Sequence, residues 1–148
     1  MKILFLLILV TFIFGCSITP ESIRRHPAVG EISTVGMGDS IYTYEKQGKV
    51  FNDYMNGINT QQTPSWRYEL LYSGLSKEIL KITYREFAND LARASFFQEA
   101  SYDYNKNGPT MVSFKGAKVE VLSADNNGIK YKVLSGFTDE EQAQAQPQ

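Results

Sequence analysis

Between residues 40 and 135 the chain alternates apolar and polar positions in short runs separated by turn-forming residues. In residues 66–73 the large apolar side chains Trp66, Tyr68, Leu70 and Tyr72 share one parity, while Arg67, Glu69 and Ser73 share the other and Leu71 is the exception. Successive strand residues face opposite ways, so this pattern predicts a half-buried β-strand. Residues 79–86 repeat it, with Leu80, Ile82 and Tyr84 set against Lys81, Thr83 and Arg85. A hairpin looped through Gly74-Leu75-Ser76 pairs Leu70 with Leu80 and Tyr68 with Ile82, and sets Glu69 opposite Lys81 on the polar face. A five-residue loop keeps the apolar face but places Arg67 opposite Arg85, which favours the shorter loop.

A second hairpin follows from Ala117, Val119, Val121 and Ser123 on one strand and Ile129, Tyr131 and Val133 on the next. A two-residue Asn127-Gly128 turn would bring Lys130 and Lys132 to the valine face, a register wrong by one. A three-residue loop, Asn126-Asn127-Gly128, sets Val121 opposite Val133 and Ser123 opposite Tyr131, with Gly128 at positive φ. Further strands are expected over 41–46, 97–104 and 110–115, with a turn at 105–109. The whole predicts an all-β domain, an antiparallel β-sandwich or small barrel of about seven or eight strands with at most one short helix. Residues 86–95 read equally as one helical turn or a loop, and 52–64 as a long polar loop of the kind that carries binding residues.

The N-terminus departs from this pattern. Lys2 precedes an apolar run from Ile3 to Phe14, interrupted only by Thr11, that ends at Gly15-Cys16. About a dozen apolar residues are too few to cross a hydrocarbon core of about 30 Å, so the segment reads as a cleaved export signal. Ile13-Phe14-Gly15-Cys16 resembles the lipobox of bacterial lipoproteins. The resemblance implies diacylglyceryl transfer to the Cys16 sulfur, cleavage after Gly15 and acylation of the new amino group, hence a palmitate-type anchor in a membrane of the cell envelope. In lipoproteins of this kind Asp after the cysteine favours the inner membrane, so Ser17 favours the outer one. The domain plan is then a signal peptide over 1–15, a lipidated cysteine and tether over 16–32, a β domain over 33–137 and a disordered acidic and glutamine-rich tail over 138–148. Arg24 and Arg25 in the tether are candidates for contact with anionic headgroups.

Cys16 is the sole cysteine of 148 residues, so its acylation leaves no thiol and no disulfide. Loss of residues 1–15 removes one of 15 basic residues and none of the 16 acidic ones. The resulting net charge of about minus two gives no basic footprint for nucleic acid.

Candidate chemistry is sparse. Gly38-Asp39-Ser40 resembles the nucleophile block of GDS-type esterases, but those enzymes use a downstream histidine and the single histidine here, His26, lies upstream. One histidine and no free thiol give no zinc set. Glu99 and Asp103 share a strand face, yet four strand residues separate them by roughly 13 Å, beyond the spacing of a glycosidase pair. No metal or cofactor is implied, and the chain reads as a non-enzyme.

The sharpest polar cluster is Tyr84-Arg85-Glu86. Glu86 either closes the strand, neutralised by Arg67, Arg85 or Arg93, or contributes to an anionic or peptide-binding rim. Tyr102 and Tyr104, beside the 105–109 turn, are candidates for an aromatic recognition patch. The expected function is therefore non-catalytic binding of a protein or envelope polymer by a membrane-anchored lipoprotein, through loops and an aromatic rim. The alternative is a surface inhibitor or exclusion factor that blocks an incoming enzyme or phage component, by analogy with small β-barrel lysozyme-inhibitor lipoproteins.

Overall fold

Thirteen strands, and no helix among the described residues, make up the fold in a computed structural model that describes residues 18–19, 22–48, 50–53, 58–92 and 97–138. The expected signal segment, Cys16 and the tail after Thr138 lie outside the described residues. In chain order the strands are β1 (Ile18–Thr19), β2 (Ile23–His26), β3 (Ile32–Gly36), β4 (Ser40–Lys46), β5 (Val50–Asp53), β6 (Ile58–Gln62) and β7 (Trp66–Ser76). They continue with β8 (Ile79–Ala88), β9 (Leu91–Ala92), β10 (Gln98–Asp103), β11 (Thr110–Phe114), β12 (Ala117–Ala124) and β13 (Gly128–Ser135).

Every pairing is antiparallel. One main sheet runs β10-β8-β7-β4-β2, with β9 added beside β8, and the other runs β11-β12-β13-β3. Their inner faces form one core. Tyr42, Tyr44, Leu70, Tyr72, Leu80, Ile82 and Tyr84 come from the first sheet, and Val112, Ala117, Val119, Val121, Ile129, Tyr131 and Val133 from the second. The fold is a β-sandwich of ten strands in two sheets rather than seven or eight. A third, three-stranded sheet, β1-β5-β6, occupies part of the segment expected to be a loop over 52–64.

The predicted faces hold while both predicted registers shift. In the β7–β8 hairpin Leu70 lies opposite Tyr84 and Tyr68 opposite Glu86, so Glu69 faces Arg85 rather than Lys81. The turn is Lys77-Glu78, both at positive φ (48° and 65°), and the register slips between Tyr72 and Gly74. Gly74, expected in the loop, sits within the strand at φ 113°. In the β12–β13 hairpin Val121 faces Tyr131 and Val119 faces Val133, with a slip between Val121 and Ser123, and residues 125–127 connect the strands. There Asp125 organises the turn: its carboxylate accepts the Asn127 and Gly128 N–H groups at 2.7 and 3.0 Å. Gly128 does not adopt the positive φ expected of it. Its role is close approach, since a Cβ there would stand 2.6 Å from the Val35 carbonyl oxygen of β3.

The expected tether over 16–32 is also corrected. β2 joins β4 as an edge strand of the larger sheet, with Ile23 opposite Lys46 and His26 opposite Thr43, and β3 closes the smaller sheet against β13. Residues 86–92 hold no helical turn. β8 runs on to Ala88, and Asn89-Asp90, at φ 50° and 62°, turn the chain into β9.

Candidate functional site

The antiparallel order gives the sandwich two ends of different character. At one, which we term the anchor end, lie Ile23, Lys46, Trp66 and Ala88 of the larger sheet, in register with one another. The β11–β12 turn at Lys115-Gly116 and the segment after β13 close the same end, since Lys115 and Phe137 line one cavity with Glu86. At the distal end lie the β7–β8 turn, the 104–109 connection, the β12–β13 loop and residues 36–39. Hydrogen bonds tie them together: Tyr104 N–H to the Glu78 carbonyl, Gly38 N–H to the Tyr72 carbonyl, and the Tyr72 hydroxyl to the Asp125 carbonyl.

Tyr84 and Glu86 project inward at the anchor end, as their shared parity requires. Across three strands Tyr44, Tyr68 and Tyr84 form a stacked row, with centroids 5.8 and 6.3 Å apart. Phe137 plugs the row from the chain's C-terminal side, 5.3 Å from Tyr42, 6.0 Å from Tyr68 and 5.8 Å from Tyr84. It is held there because Thr138 N–H donates to the Lys115 carbonyl at 2.9 Å. Glu86, 7% exposed, accepts the Tyr84 hydroxyl at 3.2 Å, and the Lys115 ammonium stands 4.4 Å above the Tyr84 ring. Tyr68, Tyr84, Glu86, Lys115 and Phe137 enclose about 40 Å³. A water occupies about 30 Å³ in the liquid, and sites for small organic ligands start at about 300 Å³. This box is filled by its own side chains and has no room for a substrate.

Arg85 lies on the opposite face and does not meet Glu86. It binds Glu69 at 2.9 Å, Glu69 also meets Arg67 at 3.1 Å, and Arg67 reaches Asp90 at 3.1 Å. Phe87 lies beneath both guanidiniums, 4.3 Å from Arg67 and 5.7 Å from Arg85. Of the three arginines expected to neutralise Glu86, two serve Glu69 instead, and Arg93 lies outside the described residues.

Tyr102 and Tyr104 sit toward the distal end, apart from Tyr84 and Glu86. Both pack on the core, and both hydroxyls bridge to the other sheet: Tyr102 donates to the Ser113 carbonyl at 2.7 Å, and Tyr104 accepts the Ala124 N–H at 3.0 Å. Burial raises the Tyr102 phenol above its ordinary pKa. The five residues singled out in the sequence thus divide among an inner box, an outer ion-pair ladder and two inter-sheet struts.

The esterase-like Gly38-Asp39-Ser40 forms a turn: the Asp39 carboxylate accepts the Gly36 N–H at 3.1 Å, and Gly38 has φ 91°. Ser40 Oγ donates to the Tyr42 and Leu70 carbonyls at 3.0 and 3.2 Å and meets Thr43 Oγ1 at 2.9 Å. His26 lies opposite Thr43, so the histidine is closer to Ser40 than the sequence order suggested, but the serine proton is shared among oxygen acceptors. Among the described residues no three histidine, cysteine or carboxylate side chains gather as a metal set.

The open surface lies at the distal end, where two clefts flank the β12–β13 loop. One, of about 490 Å³, is lined by Leu75, Lys77, Glu78, Lys106, Asp125 and Asn126. The other, of about 440 Å³, runs from Thr34 to Gly36 along β3 and over Asn127 to Lys130. Lys106 and Glu78 pair across the first at 2.7 Å; this contact lowers the Glu78 carboxyl below its usual range and raises Lys106. Met37, 58% exposed, stands at the same end. The Lys77-Glu78 and Asp125–Asn127 turns build this surface, and neither stood out among the sequence candidates because turn residues carry no period. Comparison of the chain with protein-family models, curated proteins and solved structures finds no match.

Proposed function

We propose that this chain is a lipid-anchored protein of the bacterial cell envelope, favouring the outer membrane, which performs no catalysis and binds a protein or an envelope polymer through its distal loops. The observation that carries the reading is the pair of clefts around the β12–β13 loop, at the end of the sandwich opposite the strand that leads back to Cys16. Their volumes fall within the range of ligand sites, and their lining offers both signs of charge, amide donors and acceptors, and an apolar floor at Leu75. That mixture suits an extended polar chain better than a small apolar ligand. The other polar clusters support the same assignment, because Glu86 and the Arg67-Glu69-Arg85 ladder are engaged with protein groups.

The test is crosslinking in intact envelopes followed by pull-down of the full-length acylated protein, alongside the double variant Lys106→Glu/Asn126→Arg. Loss of a crosslinked protein or glycan in that variant, with retention in Arg85→Gln, is the expected outcome. An unchanged crosslinking pattern in the cleft variant refutes the distal-loop reading.

A further inference from the structure

The sandwich has two outer faces, and they differ in how their polar groups are used. On the larger sheet the outward side chains of β7 and β8 are bound to one another, Glu69 to Arg67 and Arg85, and the Ser73 hydroxyl to that of Thr83 at 2.6 Å. The smaller sheet is arranged otherwise. Strand pairing sets Ile32, Lys132, Glu120 and Met111 in one row across β3, β13, β12 and β11. Their chain neighbours Val112, Val119, Val121, Tyr131 and Val133 belong to the core, so this row faces outward. Thr34, Lys130 and Ser123 form the next row on its distal side. On its other side stand Leu134 and Lys118, the latter opposite Ser113 and Ser135. Three lysines thus share a face with one carboxylate, and among the described residues none of these four makes an ion pair or a side-chain hydrogen bond. Beside them Ile32, Met111 and Leu134 are 56%, 49% and 38% exposed.

The composition of this face selects an occupant. Its excess of positive charge calls for anionic groups, and its aliphatic side chains call for apolar cover. A sugar chain finds no aromatic ring to stack on, because Phe114 and Tyr131, the rings of these four strands, pack on the core. A uniformly anionic leaflet would meet the Glu120 carboxylate in the middle of the face, and a second copy would set one positive face against another. A protein surface whose carboxylates border apolar side chains matches both the lysines and the aliphatic groups, and can offer Glu120 a cation. The face spans about 14 Å across the strands and about 13 Å along them, far less than the roughly 800 Å² that each partner contributes to a standard interface. Its distal row joins it to more surface, since Thr34, Ser123 and Lys130 also line the cleft of about 440 Å³ beside the β12–β13 loop. We infer that the outer face of the smaller sheet and this cleft form one docking surface for an acidic protein, with Lys118, Lys130 and Lys132 set against its carboxylates and Ile32, Met111 and Leu134 against its apolar side chains. The inference rests on the distal-loop reading and deepens it by giving the partner's class and charge.

Benzoylphenylalanine is placed at Ile32, at Met111 or at Asn126 of the full-length protein and, as a control on the other outer face, at Lys81, and intact envelopes are irradiated. The expected result is an adduct with one and the same protein from Ile32 and Met111, mapped by mass spectrometry to a segment rich in aspartate and glutamate, and none from Lys81. Lys118→Glu/Lys132→Glu should weaken that adduct about tenfold or more, while Lys118→Arg/Lys132→Arg keeps it. Raised salt should weaken it in the chain without charge reversal, a check independent of how the reversed variant folds.

Adducts from Ile32 and Met111 confined to lipid, to glycan, to a second copy or to residues 139–148 of the same chain overturn the inference. So does an equal adduct from Lys81, a partner segment without acidic residues, or an adduct indifferent to both charge reversal and salt. The Asn126 probe separates these failures from that of the underlying reading. An adduct from Asn126 with none from Ile32 or Met111 defeats the docking face alone, whereas silence at Asn126 defeats the distal-loop reading and the joined surface with it.

Discussion

Replacing Phe137 by Ala should remove a large part of the domain's stability, although Phe137 is the last but one of the described residues. The ring is 5% exposed and touches Tyr42, Tyr68 and Tyr84, so its loss removes transfer energy and opens a cavity between three tyrosines that backbone pairing holds in place. Buried Phe→Ala exchanges cost about 3 to 5 kcal/mol, and the walls here have little freedom to collapse. Aromatic pair terms of about 0.5 to 1.5 kcal/mol each are already contained in such measured costs and are not added again. Against a typical domain stability of about 5 to 15 kcal/mol, this predicts a melting temperature lower by about 10 to 20 °C. Urea unfolding followed by Trp66 fluorescence measures it. Phe137→Leu keeps most of the volume and should cost less than about 1.5 kcal/mol, while Phe97→Ala, at a residue 57% exposed, should change stability by less than about 0.5 kcal/mol. A cost below about 1 kcal/mol for Phe137→Ala would show that residues 136–138 are not latched onto the β11–β12 turn and that the aromatic row closes without them.

Three further outcomes are expected. Cys16→Ala should leave unprocessed precursor and abolish palmitate incorporation, and equal labelling of the variant would defeat the lipoprotein reading. Gly128→Val should cost about 1 to 3 kcal/mol through collision with the Val35 carbonyl, and Asn126→Ser nearly nothing; equal costs by urea titration would show that β3 gives way freely. Burial pushes the Tyr131 phenol up to about 12 and raises Tyr72 and Tyr102 as well. A phenol raised in the folded state contributes its full stability below the unfolded value near 10 and loses it as pH rises toward 12, so unfolding free energy should fall by about 2 kcal/mol or more across that window. Tyr131→Phe should flatten the fall, and an identical alkaline slope would show that Tyr131 titrates alike in the folded and unfolded states.

Period-two alternation was enough to assign the faces of β7, β8, β12 and β13. Tyr68, Leu70 and Tyr72 share the inner side of β7 as expected, as do Val119 and Val121 of β12 with Tyr131 and Val133 of β13, while Trp66 is half-buried and stands outside the core cluster. Parity is unchanged by a shift of two or four residues, so it carried no information on register, and both registers went wrong while both faces stayed right. Each hairpin also carries a one-residue slip near its turn, next to Ser73 and next to Leu122. The turns themselves were misleading. Lys77-Glu78 adopts positive φ without glycine or asparagine, while Gly74 and Gly128 serve a slip in the strand and a close backbone approach. β2 was missed for a different reason: all four of its residues are exposed at a sheet edge, so Ile23–His26 shows no alternation to read.

The candidate site was illegible for the same reason as the registers. A binding surface on a sandwich belongs to an end as well as to a face, and residues reach the same end only through register and strand order. Tyr84 was a candidate through its cluster with Arg85 and Glu86 and Tyr102 through its place beside the 105–109 turn, yet Tyr84 pairs with Gln98 and Tyr102 with Leu80, four residues apart along β8. That separation, about 13 Å, puts one in the anchor-end box and the other on the way to the distal loops. Once the ends are known, the division of labour follows from the chemistry of each. At the anchor end the polar groups are engaged within the protein, Glu86 with Tyr84 and Glu69 with Arg67 and Arg85. The distal end keeps a lysine–glutamate pair, open amides and an exposed methionine around an open cleft, which suits a polar partner in solution. Under the proposed anchoring at Cys16, seven residues before Ile23, the distal end is the one that would meet a partner.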